Sequence, residues 1–359
     1  MTTGDETYYL SATHLGDLAG RDVQNLRPLL EWAEGSRPFA IRDCFDQSLR
    51  MSRCLLLEDG SRLELISAAG EVLRQPATPQ ARFVAEFAKG PVKTALAGLS
   101  PLRALLPVAS GMARSGRLAL VDGEGKTRAR AELRELQPTD GNAVILVTPQ
   151  GLRGYGRALH DLVAHVRDCG GTPFGAGNLY RMIDPANTGY VARPKIEVGR
   201  EETAFDAAND LIDGHLPVAR ANEQGIVADL DTEFLHDYRV ALRKIRSVLS
   251  LFKGVYDPEQ TAGLKARFSA LMVPTGPLRD LDLYLLAQKD FCDLVPDRMH
   301  AGLDRMFARL RHRRAAEHAK LAAHLRSKGY QKEIKALAVD FHPELTQFGV
   351  NPSGWTTGP

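Results

Sequence analysis

Cysteine, long apolar runs and net charge are all scarce in this chain, and each shortage removes a class of protein. Four cysteines (Cys44, Cys54, Cys169 and Cys292) are scattered over 359 residues without a C-x-x-C pair. That excludes a disulfide scaffold and a zinc ribbon, and it suits a reducing cytosol. No run of about 18 apolar residues occurs, so no membrane span is expected. The first residues, MTTGDETYYL, lack a basic region followed by an apolar one, so no signal peptide is read and the cytoplasm is the expected location. The formal net charge is only +2. A polyanionic partner therefore has to be argued from where the charges sit, not from their sum.

The length allows two domains, each with its own core, and two textures divide the chain. Residues 1–170 mix short strand-like runs with a few helical ones. A hairpin is expected over 55–66, where Asp59-Gly60 suits the positive-φ positions of a tight turn and Leu63 and Leu65 alternate with Arg62 and Glu64. A second hairpin is expected over 118–133, a strand over 142–147, and a helix over 155–166 with Leu159, Leu162, Val163 and Val166 on one side. Residues 171–194, rich in Gly and Pro, read as a linker. From 195 to 342 the pattern is nearly all helical. Helices are expected near 203–216, 232–252, 261–271, 277–286 and 297–327, with a weaker one near 331–339. Residues 343–359 read as a flexible tail. The predicted class is α+β: an antiparallel β domain followed by an all-α antiparallel bundle.

One segment carries more information than the rest. At 100° per residue, Phe234, Tyr238, Leu242, Ile245, Leu249 and Phe252 form an apolar stripe. Beside it, His236, Arg239, Arg243 and Arg246 recur at i, i+3, i+7 and i+10, along about 15 Å of helix. Like charges at such spacings repel by a few tenths of a kcal/mol per pair unless an anion compensates them. Arginine also presents a planar fork matched to phosphate oxygens. The same spacing also fits a solvated face paired with acids on neighbouring helices. The helix expected after Asp297 repeats the theme: Arg298, Arg305, Arg309, His312 and Lys320 share a face, with Arg313 and His324 at its edge and few acids nearby. Two such stripes in one bundle are expected to line a single groove for a linear polyanion. Aromatic residues do not interleave with these arginines, so the stacking platforms of single-strand nucleic-acid binders are missing.

Several other signals lead nowhere. Gly123-Glu124-Gly125-Lys126-Thr127 ends like a P-loop, but the full pattern needs glycine where Leu120 stands, and the segment lies in a hairpin. His160 and His165 are five apart and share no helix face, so no metal pair is expected. His342, before Pro343, reads as inert. No cofactor, metal or nucleophile elbow is read.

The run from His236 to Ser247, HDYRVALRKIRS, resembles the signature of the CHAD (conserved histidine α-helical) family. Gly276-Pro277-Leu278-Arg279-Asp280-Leu281-Asp282-Leu283-Tyr284-Leu285 is similar to that family's second motif, and Ala221–Gly225 leading to Asp231-Thr232-Glu233 also fits. The resemblance implies a helical bundle that binds inorganic polyphosphate without catalysis. Carried over residue by residue, it implies phosphate contacts at His236, Arg239, Arg243, Lys244, Arg246 and Arg279. The second basic helix adds Arg305, Arg309, His312, Arg313 and Lys320. Asp280 and Asp282 are read either as orienting arginines or as complementing a helix dipole after Pro277. Family members have two four-helix halves, each with a histidine–arginine helix, and only the first half is found here. Either the chain is a truncated or half-length version, or a second copy completes the bundle and is an expected partner; polyphosphate granules are an expected location.

The N-terminal region resembles a degenerate CYTH domain, the triphosphate-tunnel fold. The matching stretches are Asp43-Cys44-Phe45-Asp46, the Asp59-Gly60 hairpin, residues 102–108, the hairpin over 122–130 and Gly154-Tyr155. Active members carry an E-x-E-x-K strand; here the start reads Glu6-Thr7-Tyr8-Tyr9-Leu10-Ser11, without that triad. Two alternatives stay open at this point: a divergent metal-dependent triphosphatase, and a nucleic-acid or protein interaction module using the basic strip. Histidine gains charge in mildly acidic buffer. Binding is therefore expected to strengthen modestly as pH falls, and equal affinity in mildly acidic and mildly basic buffer would count against a charged His236.

Overall fold

The computed structural model describes residues 6–176, 179–183 and 189–341. Two units divide the chain at Gly189 and Tyr190. The first is built on one antiparallel sheet. In chain order its strands are β1 (Tyr8–Ser11), β2 (Arg27–Trp32), β3 (Arg37–Cys44), β4 (Leu55–Asp59), β5 (Arg62–Ile66), β6 (Val72–Pro76), β7 (Leu105–Val121), β8 (Thr127–Pro138), β9 (Val144–Gln150) and β10 (Thr172–Pro173). Across the sheet the order is β10-β1-β9-β8-β7-β3-β4-β5-β6, with β2 also on β7. The 17-residue β7 is the spine. One edge pairs with β8; the other pairs with β3 along its first half and β2 along its second.

The sheet is curled, and ion pairs across its concave face report the curl. β5 and β8 are four strand steps apart, roughly 19 Å in a flat sheet at about 4.8 Å per step. Yet Arg134 on β8 grips Glu64 on β5 with two bonds, at 2.6 and 2.9 Å. Arg74 on β6 reaches Glu64 at 3.2 Å and Glu132 on β8 at 2.7 Å. This curled half-barrel is the form the CYTH resemblance implies. Just before and along β1, Thr7 and Tyr9 turn to the concave side, where Thr7 bonds Thr148 and Tyr9 packs on Leu146.

Alternation places Leu118, Leu120, Ala129, Ala131, Leu133, Ile145 and Val147 on the convex face. They are covered by α1 (Leu15–Gly20) and by Leu162 and Val166 of α4 (Gly156–Asp168). Short helices α2 (Ser48–Met51) and α3 (Pro91–Ala95) cover the other end. The expected hairpins are present, with one adjustment: Asp59 stays in the ladder opposite Arg62, and Gly60, at φ +59°, begins the turn. The segment 171–183, read as linker, instead belongs to this unit. β10 pairs with β1, and Phe174 together with Leu179, Tyr180 and Ile183 of α5 (Leu179–Ile183) is buried against the concave face. Four apolar side chains in thirteen residues give no period to detect, but they are enough to close a core.

The second unit comprises α6 (Ala204–Val227), α7 (Thr232–Leu251), α8 (Pro258–Met272), α9 (Gly276–Leu286), α10 (Gln288–Asp293), α11 (His300–Arg326) and α12 (Lys328–Phe341). α6 runs eleven residues past its expected end, straight through Pro217, because the tertiary faces of both halves are buried and outweigh the lost hydrogen bond. α10 was not expected. α9 and the segment after α10 leave Leu283, Tyr284 and Leu294 exposed. The expected tail, and His342, lie outside the described residues. Among the described residues no helix is long and apolar enough to cross a membrane.

Asp43 is fully buried near the end of β3. It accepts the backbone N–H groups of Cys44, Leu49 and Arg50. Burial raises its carboxyl to about 6 even so. A carboxyl raised on folding holds its proton longer in the native state, so its contribution falls as pH rises from about 4 to about 6 and is level above. Asp43→Asn cannot titrate. Its cost, measured by urea unfolding, should be largest near pH 4 and smaller at pH 6.5; equal costs would exclude titration of this group.

Candidate functional site

The basic helix α7 is held from three sides. Asp231 caps it, accepting the N–H groups of Glu233 and Phe234 at 2.9 and 3.2 Å. Its apolar stripe, Phe234, Tyr238, Leu242, Ile245 and Leu249, is buried as the periodicity requires. At Gly225 on α6 a Cβ would lie 2.0 Å from the Phe234 ring, so only glycine lets α6 and α7 close this tightly. Tyr238 bonds Tyr330 of α12 at 3.1 Å, and Tyr330 donates to Glu223 of α6 at 2.8 Å. Burial raises both phenols and the Glu223 carboxyl above their usual ranges. This chain of hydroxyls fixes the rotation of α7 about its axis.

That rotation turns the basic stripe toward the junction of α8 and α9. Arg239 is half-buried. It donates to the hydroxyl of Thr275, itself fully buried and bonded to Met272 O at 2.6 Å, and approaches Met272 O at 3.5 Å. Arg246, one side further along, reaches the Met272 sulfur at 3.6 Å. Arg279, in the first turn of α9, crosses to α7, where Nη1 donates to Thr232 O at 3.4 Å and Nη2 to His236 Nδ1 at 3.2 Å. Burial lowers the Arg239 guanidinium from its usual range; Asp280 opposes that, and the neighbouring Arg243 and Arg279 add to it. Among the described residues no carboxylate lies within ion-pair distance of Arg239, Arg243, Arg246 or Arg279. The partners of Arg239, Arg246 and Arg279 are carbonyls, a hydroxyl, a sulfur and an imidazole, while the Arg243 side chain is exposed.

Other arginines of the unit are treated differently. Arg314 of α11 forms two bonds of 2.7 Å to Asp229 and a third of 2.7 Å to Asp282 of α9. Asp282 therefore orients an arginine, one of the two roles anticipated for it. Arg267 joins α8 to Glu333 and Asp340 of α12 at 2.6 and 2.5 Å. Neither Arg267 nor Arg314 was anticipated. In sequence Arg314 is one member of the run Arg311-His312-Arg313-Arg314, and its carboxylate partners lie 32 and 85 residues away. Thr275 was also missed, being an ordinary residue before Gly276-Pro277.

The expected sites thus separate. His236, Arg239, Arg243, Arg246 and Arg279 form one cluster. Lys244 points elsewhere, about 140° round α7 from Arg239, toward His215 of α6, whose imidazole burial and Lys244 push down. On α11, Phe307, Arg314 and Leu321 face the neighbouring helices. Arg305, Arg309 and His312 project from the opposite side and are exposed. Arg313 lies exposed on the flank, and Lys320 pairs with Glu317 at 2.9 Å. The two stripes do not line one groove, because α9 lies between their helices and receives the other face of α11. The sequence periodicity places residues on a helix face but could not fix the relative rotation of the two helices, and Arg298 lies in a short turn before α11. Among the described residues no group of three or more His, Cys, Asp or Glu is placed to hold a metal ion.

Asp282 is 1% exposed at its side chain, and burial pushes its carboxyl above the usual range despite Arg314. Replacing its partner, Arg314→Met, strands that charge and should cost about 3–5 kcal/mol in urea unfolding. A loss under about 1 kcal/mol, the scale of a surface pair, would show that the triad does not hold α9 to α11.

No curated protein matches the chain. A family model described as CHAD domain matches residues 210–350, from within α6 through the whole of α7 to α12. The match covers every residue of the cluster, and both motifs fall where the geometry joins them, at the crossing of α7 and α9. The helical unit of this chain is a CHAD domain.

Proposed function

We propose that the helical unit binds inorganic polyphosphate, without catalysis, through His236, Arg239, Arg243 and Arg246 of α7 and Arg279 of α9. CHAD domains in general are linked to polyphosphate binding. The observation that carries the reading here is the pairing of Arg239 and Arg279. Both are half-buried, both are held in fixed orientation, and both have only neutral acceptors. A guanidinium has five donors, so each retains donors for an external anion, although Asp280 acts on Arg239 and Asp282 on Arg279 from beyond ion-pair distance. A solvated basic face, the competing interpretation of the stripe, would leave its arginines extended into water rather than docked on carbonyls. Successive residues of the α7 stripe are three or four positions, about one helical turn, apart, a spacing over which a linear polyanion can neutralise several at once. No base-sized aromatic platform accompanies them, which favours a chain of phosphates over single-stranded nucleic acid.

A salt titration of binding to long-chain polyphosphate tests this. It compares the parent, an Arg239→Ala/Arg243→Ala/Arg279→Ala variant and an Arg305→Ala/Arg309→Ala variant. Losing three contacts should reduce the slope of log affinity against log salt by roughly 2 to 3. The α11 variant should keep nearly the parent slope. Equal losses in the two variants would move the site off the cluster, and a parent that does not bind removes the reading. RNA of equal charge should displace polyphosphate poorly; efficient displacement would assign the cluster to nucleic acid.

A further inference from the structure

Within the cluster, the contact between His236 and Arg279 fixes a protonation state. Arg279 Nη2 lies 3.2 Å from His236 Nδ1. A guanidinium has donors and no acceptor, so Nδ1 has to be the acceptor. An imidazole that accepts at Nδ1 carries its one proton at Nε2 and is neutral; an imidazolium has N–H groups at both nitrogens and could not accept. On its other side the same guanidinium is tied to Thr232 O, one turn earlier on α7. It is thus strapped across the first turn of α7 by a backbone carbonyl and a ring nitrogen. Among the described residues nothing partners His236 Nε2.

We propose that His236 is a positioning residue for Arg279 and a neutral donor, not a fifth cation of the cluster. Its Nδ1 holds the Arg279 guanidinium in place before any ligand arrives, and its Nε2–H is left to meet the same anion. The proposal rests on the polyphosphate reading above. It replaces the expectation, drawn from the sequence, that the histidine contributes by gaining charge. Arginine has four side-chain torsions, and fixing them in advance reduces the ordering that binding would otherwise require. Because the fixing groups are uncharged, they do not neutralise the guanidinium; the nearby Asp282 acts on it only from beyond ion-pair distance. A carboxylate in place of His236 would fix Arg279 equally well and neutralise it.

A double-mutant cycle at pH 8, with the full chain and polyphosphate of one defined length, separates the two roles. His236→Ala and Arg279→Ala should each weaken binding roughly tenfold, and the double variant should be no weaker than the worse single variant by more than about twofold, the mark of residues acting as a unit. His236→Gln keeps an uncharged acceptor and donor, should retain most of the affinity, and controls for folding. His236→Lys supplies a cation without an acceptor and should not rescue. Multiplied losses in the double variant, or rescue by lysine, overturn the proposal. Nitrogen-15 NMR of ring-labelled histidine gives a readout independent of the ligand. The free parent should show the Nε2–H tautomer at His236, and Arg279→Ala should erase that preference. An imidazolium or an even tautomer mixture in the parent overturns the proposal. If the parent binds no polyphosphate the functional reading fails by itself, and the NMR result still decides whether His236 holds Arg279.

Discussion

A guanidinium drawn out of bulk water has to find acceptors for its donors, and whether those acceptors carry charge decides what the arginine can do next. This chain uses both solutions in one helical unit. Arg314 and Arg267 meet carboxylates and become cross-braces between helices. Arg239 and Arg279 meet carbonyls, Thr275 and His236, with no carboxylate among their hydrogen-bond partners, at the crossing of α7 and α9. The braces and the cluster depend on each other. Asp282, which anchors Arg314, is three residues beyond Arg279 on α9, so the carboxylate that ties α9 to α11 also sets where the first turn of α9 presents its arginine to α7.

The sheet unit follows the first solution. On its concave face Glu64 is 5% exposed at the side chain and receives Arg134 and Arg74, while Glu132 takes the other end of Arg74. Arginines on an inward-facing surface are there already neutralised by the unit's own acids, and they hold the curl of the sheet. The segment after α4 closes the apolar end of the same face with Phe174, Leu179, Tyr180 and Ile183. Charge at one end and apolar packing at the other thus serve one purpose, keeping strands distant in the sheet close in space.

What could be read from the sequence was whatever repeats along it. The apolar stripe of α7, its start near Thr232, the two hairpins and the helix α4 all come from periodicities or turn residues within a window of about twenty positions. The basic stripe was legible for the same reason. What could not be read was set by contacts distant in sequence: the rotation of α11 about its axis, which sends Arg305 and Arg309 away from the cluster; the pairing of Arg314 with Asp229; the seat that Thr275 gives Arg239. Residues 171–183 escaped because a few anchoring side chains in a Gly/Pro-rich stretch look like a linker until the surface they cover is known. Lys244 joined the expected contacts through the family motif, yet it is about 140° from Arg239 around the helix.

The hydroxyl chain from Tyr238 through Tyr330 to Glu223 has a consequence for the order in which the helical unit matures. α6 and α7 are neighbours in the chain, joined by four residues, and Gly225 receives Phe234 across only that short loop. Their hairpin needs little loop closure and can assemble while the rest is still being synthesised. Glu223 is buried in that hairpin's surface toward α12, but the hydroxyl that satisfies it arrives 107 residues later. Until then only Arg220, 3.9 Å away on the same helix, and water compensate the carboxylate. The helix that carries the arginines is thus shaped early, and the polar lock that fixes its orientation closes last.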